Sequence, residues 1–273
     1  MICKRGLMRA LGALTITAAL GCLAAAPAAA QAPSVLQGVL QRGTLRVAVL
    51  GSLPPYSRVL PTGEAEGYDI DIAKRLAEAL KVKPEFVITD IPGRVTSLQT
   101  RKVDVTIADF TRNVERSTSV AFTNPYLVTN MRLLVRADSP YKTIAEANEA
   151  GIKVAISRGG TAEQAVPKNM PKAQVVRFNN QSDELSALLS GQVDGMAEDD
   201  FYNGRAIKDH EGKLRQVDGT LARAEIAIGA PAGDPDWLRV LNLFVDQFNA
   251  SGDNKKLFVK WFGFEQPPIQ VQY

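Results

Sequence analysis

The feature that most constrains the fold is a regular alternation of short apolar strands with helical segments along the 273-residue chain. In the first half, strands are predicted at residues 45–49, 86–88 and 103–108, with helices over 68–80 and 94–100 between them. The second half repeats the alternation, with strands at 154–156, 175–178 and 193–197. Strand–helix–strand units of this length imply parallel sheets with right-handed crossovers, so the chain is predicted to be α/β.

Two stretches of the chain resemble each other. Residues 98–109 read LQTRKVDVTIAD, and residues 188–199 read LLSGQVDGMAED. Both place a Leu first, then Val-Asp five and six residues later, then an Asp five residues further. This similarity favours two lobes built on one plan, and coincidence among short α/β segments is the alternative.

The first thirty residues have the pattern of a targeting segment. Three basic residues within the first nine positions precede an apolar run over 10–26, and Ala28-Ala29-Ala30 follows. This order is typical of a secretory signal peptide. We predict a cleaved signal over residues 1–30, a mature start at Gln31 and a periplasmic location. A lipoprotein anchor at Cys22 is the alternative.

Removing this segment changes the charge and the chemistry of the mature chain. Residues 1–30 hold three of the 32 Lys and Arg and no acidic residue, which leaves 29 basic against 29 acidic residues. A neutral balance gives no indication of nucleic-acid binding. Both cysteines lie in the leader and the chain has one histidine, His210, so a zinc cluster or a Ser-His triad is poorly supported. We predict no cofactor, no metal site and no nucleic-acid partner.

Polar residues follow the strand predicted at 103–108. Thr111 and Arg116 come just past its end, and such strand ends are where α/β sheets bind ligands. A hydroxyl and a guanidinium suit a carboxylate, because Arg offers a bidentate fork and Thr a further donor. After Arg116 come the run FTNPY over residues 122–126 and a further strand predicted over 131–135. The pattern hydrophobic-Thr-x-x-x-x-Arg followed by Phe-Thr-x-Pro-Tyr resembles family 3 of the periplasmic solute-binding proteins, the polar amino-acid group that serves ABC transporters.

This resemblance spans residues 43–264 and implies a two-lobed fold of the Venus flytrap type. Each lobe would be a mainly parallel sheet flanked by helices, and two hinge strands would join the lobes near residues 134–137 and 228–232. Lobe 1 is expected over 31–135 plus 231–273, and lobe 2 over 136–230. The implied function is the solute-binding component of an ABC importer, which binds a polar amino acid between the lobes by hinge closure. The expected partners are this ligand and the permease, and the protein is expected to be a monomer without enzymatic activity.

The resemblance also assigns roles to individual residues. Arg116, assisted by Thr111 and Thr161, would bind the α-carboxylate of the ligand. Gly160 belongs to a Gly-Gly-Thr loop that opens a helix, whose backbone N–H groups attract anions. Asp199, at the end of a strand in the second lobe, would take the α-ammonium group.

The side-chain pocket is predicted less specifically. Tyr56 and Phe110 could pack on the ligand or belong to the core, and Arg94 matches a motif that can reach an acidic ligand side chain. Leu50 stands where relatives that bind cationic amino acids carry an acid on the first loop, and Leu53 stands where many relatives carry an aromatic residue. Both differences argue against Lys, Arg or His. Asp109 would repel an acidic ligand by ~1 kcal/mol or more. Acidic and neutral polar ligands both remain open and are favoured over cationic ones.

Two other functions fit the same pattern. Periplasmic cyclohexadienyl dehydratases, which act on prephenate or arogenate, look similar overall. In such an enzyme Arg116 would hold a carboxylate and Glu198 could serve as a general acid. A sensor ectodomain is a third possibility, and it would need a separate receptor.

Overall fold

The structure is a computed structural model, and it describes residues 34–269. The predicted signal peptide, the alternative anchor at Cys22 and the end of the C-terminal tail therefore lie outside the described residues. The helices are α1 Val35–Arg42, α2 Tyr68–Ala79, α3 Gly93–Gln99, α4 Val114–Ser117, α5 Ile144–Glu149, α6 Ala162–Asn169, α7 Gln181–Leu189, α8 Asp200–Asp209, α9 Pro235–Ala250 and α10 Asp253–Phe262. The strands are β1 Thr44–Leu50, β2 Ser52–Leu53, β3 Ser57–Val59, β4 Ala65–Glu66, β5 Lys83–Thr89, β6 Val105–Thr106, β7 Val120–Arg136, β8 Lys153–Ser157, β9 Gln174–Phe178, β10 Gly195–Asp199, β11 Leu214–Gln216 and β12 Ala222–Pro231.

The main sheet is mixed and has parallel strands at both ends. Its order is β5-β1-β6-β12-β7-β10-β8-β9, with β11 paired to β7. Strand β1 pairs in parallel with β5 and β6, and β8 pairs in parallel with β9 and β10. The central pair β7 and β12 is antiparallel, so the two parallel ends of the sheet meet across these two strands. This α/β arrangement is that of the two-lobed fold.

The last two helices pack against elements formed by the first half of the chain. Asp234 caps α9 by accepting the N–H of Trp237, and the indole of Trp237 donates to the carbonyl of Asp104 at 3.0 Å. In α10, Trp261 donates its indole N–H to Asp71 at 2.8 Å. These contacts agree with a discontinuous first lobe, whose boundaries at residues 135 and 231 stay a prediction.

Two strand predictions differ in length from the observed elements. The strand predicted over 103–108 is only Val105–Thr106, because Asp109 has a left-handed backbone (φ 44°) that turns the chain away. The strand predicted over 131–135 extends over Val120–Arg136 although it contains Pro125. Its pairing with β12 shifts register beside Pro125, and such a bulge accommodates a residue that cannot donate.

Helix α8 is absent from the sequence-based expectation. It contains Gly204, and glycine lowers helix propensity by about 1 kcal/mol relative to Ala. The helix is fixed at its start by Asp199, whose side chain accepts the N–H groups of Phe201 and Tyr202. This capping makes Asp199 part of the fold as well as a candidate for binding.

The two similar stretches adopt the same local structure. The N–H of Asp104 donates to the carbonyl of Arg46 at 2.9 Å, and the N–H of Asp194 donates to the carbonyl of Lys153 at 2.9 Å. Each aspartate side chain in turn accepts the N–H of that same strand residue. The similarity is therefore structural, and it places the later Asp of each stretch at the end of β6 or β10. None of the helices within residues 34–269 has the length and apolar character that crossing a membrane requires.

Candidate ligand-binding site

A cavity lies where the ends of β6, β8 and β10 meet the central pair of strands. The space between atoms within it and at its open mouth is about 390 Å³, of which only about 20 Å³ admits the centre of a water molecule. The carboxyl ends of parallel strands are the usual ligand position in α/β sheets. The lining residues come from seven segments of the chain: Ile91, Arg94, Asp109, Thr111, Thr129, Met131, Ser157, Gly160, Thr161, Ala162, Gln181, Glu198, Asp199, Ala224 and Ile226.

Six of the nine predicted binding residues line this cavity. They are Arg94, Asp109, Thr111, Gly160, Thr161 and Asp199. They come from both halves of the chain, as a ligand held between two lobes requires. Their role in binding remains a prediction.

Arg116 lies at the rim of the cavity rather than in its lining. Its guanidinium donates to the carbonyl of Thr111 at 2.6 Å and to the carbonyl of Gly159 at 2.8 Å. It also lies 5.3 Å from the ring centre of Phe110. Burial, reinforced by the charge of Arg94, lowers the pKa of Arg116 to about 9. Arg116 stays charged at neutral pH, and an anion at this rim would raise its pKa again.

Tyr56 and Phe110 are fully buried and belong to the core. The hydroxyl of Tyr56 donates to Asp199 at 2.9 Å, so Tyr56 fixes a candidate binding carboxylate without lining the cavity. Phe110 packs edge-on against Phe122 at 4.7 Å and lies under the guanidinium of Arg94. Both side chains therefore support cavity residues from behind.

Arg94 is the guanidinium that lines the cavity. It donates to the carbonyls of Ala108 at 3.1 Å, Asp109 at 2.8 Å and Ile91 at 3.1 Å. These bonds hold the turn that follows β6. Burial lowers the pKa of Arg94, and the negative charges of Asp109 and Glu198 oppose that change.

Several hydrogen bonds join the two halves of the chain across the cavity. The hydroxyl of Thr161 donates to that of Thr111 at 2.9 Å, and the side chain of Gln164 donates to Glu115. Together with the bonds from Arg116 to Gly159 and from Tyr56 to Asp199, they hold the cavity walls together. Admission of a molecule the size of an amino acid requires these walls to separate.

Three carboxyl groups cluster in the cavity. Oxygens of Asp109, Glu198 and Asp199 lie within 4.8 Å of one another, a spacing that admits one cation among them. Burial and the nearby Glu198 raise the pKa of Asp199 to about 8. Burial also raises the pKa of Glu198, and burial together with Asp199 and Glu198 raises the pKa of Asp109 well above its usual range.

Some lining residues gave no signal in the sequence. Thr129 lies in the middle of β7, where threonine is favoured for its backbone preference alone, and Gln181 is the first residue of α7. The lining residue Ser157 donates its hydroxyl to Glu184, which lies behind the lining. Glu184 is fully buried, and burial raises its pKa well above the usual range. A glutamate on the inner face of a predicted helix was the one available indication of this buried acid.

Comparison with known proteins identifies the family. The model of the bacterial extracellular solute-binding proteins, family 3, matches residues 45–264. The chain belongs to this family. An L-arginine-binding protein of Pseudomonas aeruginosa is 28% identical over 230 residues, which cover 81% of this chain and 88% of the relative.

Two further similarities concern an enzyme that shares the fold. A cyclohexadienyl dehydratase of Pseudomonas aeruginosa is 30% identical over 185 residues, which cover 66% of this chain and 69% of the relative. A crystal structure of an ancestral amino-acid-binding protein, described as a precursor of cyclohexadienyl dehydratase, matches with a TM-score of 0.79 and 33% identity. That match covers 84% of this chain and all of the other. This family 3 solute-binding protein is therefore similar both to binding proteins and to an enzyme.

Proposed function

We propose that the protein binds a polar amino acid between its two lobes and delivers it to an ABC permease. The ligand's α-carboxylate would be held by Arg116, Thr111 and Thr161, and its α-ammonium group by Asp199. A guanidinium at the rim and a carboxyl group in the lining match the two charges of a zwitterion. The proposal includes a periplasmic location and action without chemical conversion of the ligand.

The observation that carries the proposal is the hydrogen bonding of the Asp199 carboxyl group. Its Oδ1 atom accepts three hydrogen bonds, from Tyr56, Phe201 and Tyr202. Its Oδ2 atom is buried and has no hydrogen-bond partner among the described residues. A buried carboxylate oxygen without a partner is costly, so a bound ammonium group would supply the missing donor and charge.

Hinge closure follows from the positions of these groups. Arg116 and Thr111 belong to the first half of the chain, whereas Thr161 and Asp199 belong to the second. A ligand that contacts all four favours the closed form by the difference between its affinities for the closed and open forms. The narrow cavity is consistent with this mode of binding.

A thermal-shift screen tests the proposal. The mature protein, freed of carried-over ligand by unfolding and refolding, is screened against all proteinogenic amino acids and related amines. A ligand at about 100 times its Kd should add about 2.7 kcal/mol of stability, or about 5–10 °C for a chain of this size. Asp199→Asn should abolish the shift, and Asp138→Asn, with a side chain 86% exposed, should retain it. A screen in which no amino acid stabilises the wild-type protein would contradict amino-acid binding.

A second candidate function is a cyclohexadienyl dehydratase. It is supported by Glu198, a buried carboxyl in the cavity lining whose raised pKa suits a general acid. The similarity to the Pseudomonas enzyme adds to this support. Incubation with prephenate or arogenate, followed by ultraviolet detection of an aromatic product, separates the two functions. Turnover that is lost in Glu198→Gln would establish the enzyme.

A further inference from the structure

We infer that the ligand is an amino acid with a cationic side chain and that Asp109 is the residue that selects it. This inference rests on the proposed function, since it specifies the ligand of the same cavity. It reverses the preference for acidic or neutral ligands that the sequence pattern favoured.

Asp109 occupies a backbone conformation that side chains usually avoid. Its φ of 44° lies in the left-handed region, which is uncommon for residues other than glycine and in which Asn and Asp are enriched. Its N–H donates to Asp69 at 2.8 Å, and its carbonyl accepts from Arg94 at 2.8 Å. Both bonds use the backbone, so glycine could make them with less strain. The carboxylate is therefore not needed to form this turn.

The carboxylate of Asp109 is also unsatisfied within the protein. Asp109 is 8% exposed, and its Oδ1 atom has no hydrogen-bond partner within residues 34–269. Thr129, another lining residue, is 1% exposed and its hydroxyl is likewise without a partner in that part of the chain. These two buried oxygens in the cavity lining, together with the free oxygen of Asp199, indicate a ligand with several hydrogen-bonding groups.

The charge balance of the cavity gives the sign of the missing group. Three carboxyl groups line it, against the guanidinium of Arg94 in the lining and that of Arg116 at the rim. The raised pKa values of the three acids mean that protons take the place of the missing positive charge in the ligand-free cavity. A zwitterion with a neutral side chain adds no net charge, so one carboxyl group would have to stay protonated. A ligand with one additional positive charge balances the three carboxylates against the two guanidinium groups, whereas an acidic side chain adds a further negative charge. Buried charges are costly unless they are paired.

Leu50 and Leu53, whose identity argued against a cationic ligand, do not line the cavity. Leu50 is 4% exposed and Leu53 is fully buried, and both belong to the main core cluster rather than to the cavity lining. The acid that cationic-ligand relatives are expected to carry on the first loop is absent there. Asp109 provides a carboxylate from a different loop of the same cavity.

The test compares charged ligands with uncharged counterparts of similar shape. Dissociation constants are measured by calorimetry for arginine against citrulline, lysine against norleucine, and glutamate and glutamine. We expect at least one cationic ligand to bind about 10-fold or more tightly than its uncharged counterpart, a difference of about 1.4 kcal/mol. Asp109→Asn, which tolerates the same backbone conformation, should reduce this ratio to below about 3-fold, while Asp138→Asn should leave it unchanged.

Each failure has a distinct meaning. If glutamate or an uncharged ligand such as glutamine binds most tightly, or if Asp109→Asn keeps the charge preference, the inference is overturned while amino-acid binding stands. If calcium ions alone stabilise the protein through the three carboxylates, the carboxyl cluster is a metal site and the inference also fails. If no amino acid binds, the proposed function itself fails.

Discussion

Replacing Asp199 by asparagine should stabilise the ligand-free protein at alkaline pH while abolishing binding. The side chain is 2% exposed, and its pKa is raised from 3.8 to about 8, chiefly by burial. Each pKa unit corresponds to about 1.36 kcal/mol, so ionising Asp199 in the folded protein costs up to roughly 6 kcal/mol. The amide keeps an oxygen for the bonds from Tyr56, Phe201 and Tyr202 and removes the charge.

The expected net gain is smaller than this cost. The new amide nitrogen also needs acceptors, and the two neighbouring carboxyl groups supply them only in part. We therefore expect Asp199→Asn to be more stable by about 1–3 kcal/mol above pH 8, which corresponds to about 2–10 °C in melting temperature. The sign follows from proton linkage. Because the folded pKa lies above the unfolded one, the wild-type protein loses stability as the pH rises from about 4 to about 8.

Thermal and urea unfolding of ligand-free protein at about pH 8.5 and about pH 4.5 measure this effect. The advantage of Asp199→Asn should be largest at the higher pH and nearly vanish at the lower one. Asp138→Asn, an exposed control, should stay within about 0.5 kcal/mol of wild type at both. The electrostatic reasoning would be refuted if Asp199→Asn were less stable than wild type at about pH 8.5, or if it gained the same free energy of unfolding at both pH values.

Three further predictions address binding and the core. Affinity for an amino acid should rise by up to about 10-fold per pH unit between about pH 6 and pH 8, because the ammonium group needs ionised Asp199. Calorimetry in buffers of different ionisation enthalpy should show proton release on binding. An affinity that does not change with pH would contradict this prediction. Arg116→Ala should abolish ligand-induced stabilisation and leave the ligand-free melting temperature nearly unchanged, since its bonds lie at the rim; an equal loss of stability would make Arg116 structural. Trp237→Ala should cost about 3–5 kcal/mol in urea unfolding without changing ligand preference, because the fully buried indole leaves a cavity and an unpaired carbonyl at Asp104.

The sequence predicted the strand ends of the cavity well because two independent signals agreed there. The alternation of elements placed Asp109 and Asp199 at the ends of parallel strands, and the similar stretches placed them at equivalent positions. The structure brings their carboxylates within 4.8 Å. Local pattern and topology together were sufficient for residues of this kind.

Other cavity residues could not be predicted because their local pattern has an ordinary explanation. Thr129 on β7 suits a strand whatever it faces, and Gln181 looks like a polar residue in the first turn of a helix. Leu50 and Leu53 were expected near the ligand side chain, and they are absent from the cavity lining for a different reason. Whether the first loop faces the cavity depends on tertiary packing, and the core takes both side chains.

The geometry of the two threonine hydroxyls links ligand binding to closure. Thr161 donates to Thr111 at 2.9 Å across the cavity, so a ligand carboxylate that accepts from both must replace this bond with two others. The free energy of binding is therefore the difference between the ligand's contacts and those that the walls already make with each other. The opposite holds at Asp199, where the oxygen that bonds Tyr56 is distinct from the free oxygen available to an ammonium group. The ligand can thus gain at Asp199 without breaking the contact that holds the walls together, which makes the ammonium end the stronger determinant of closure.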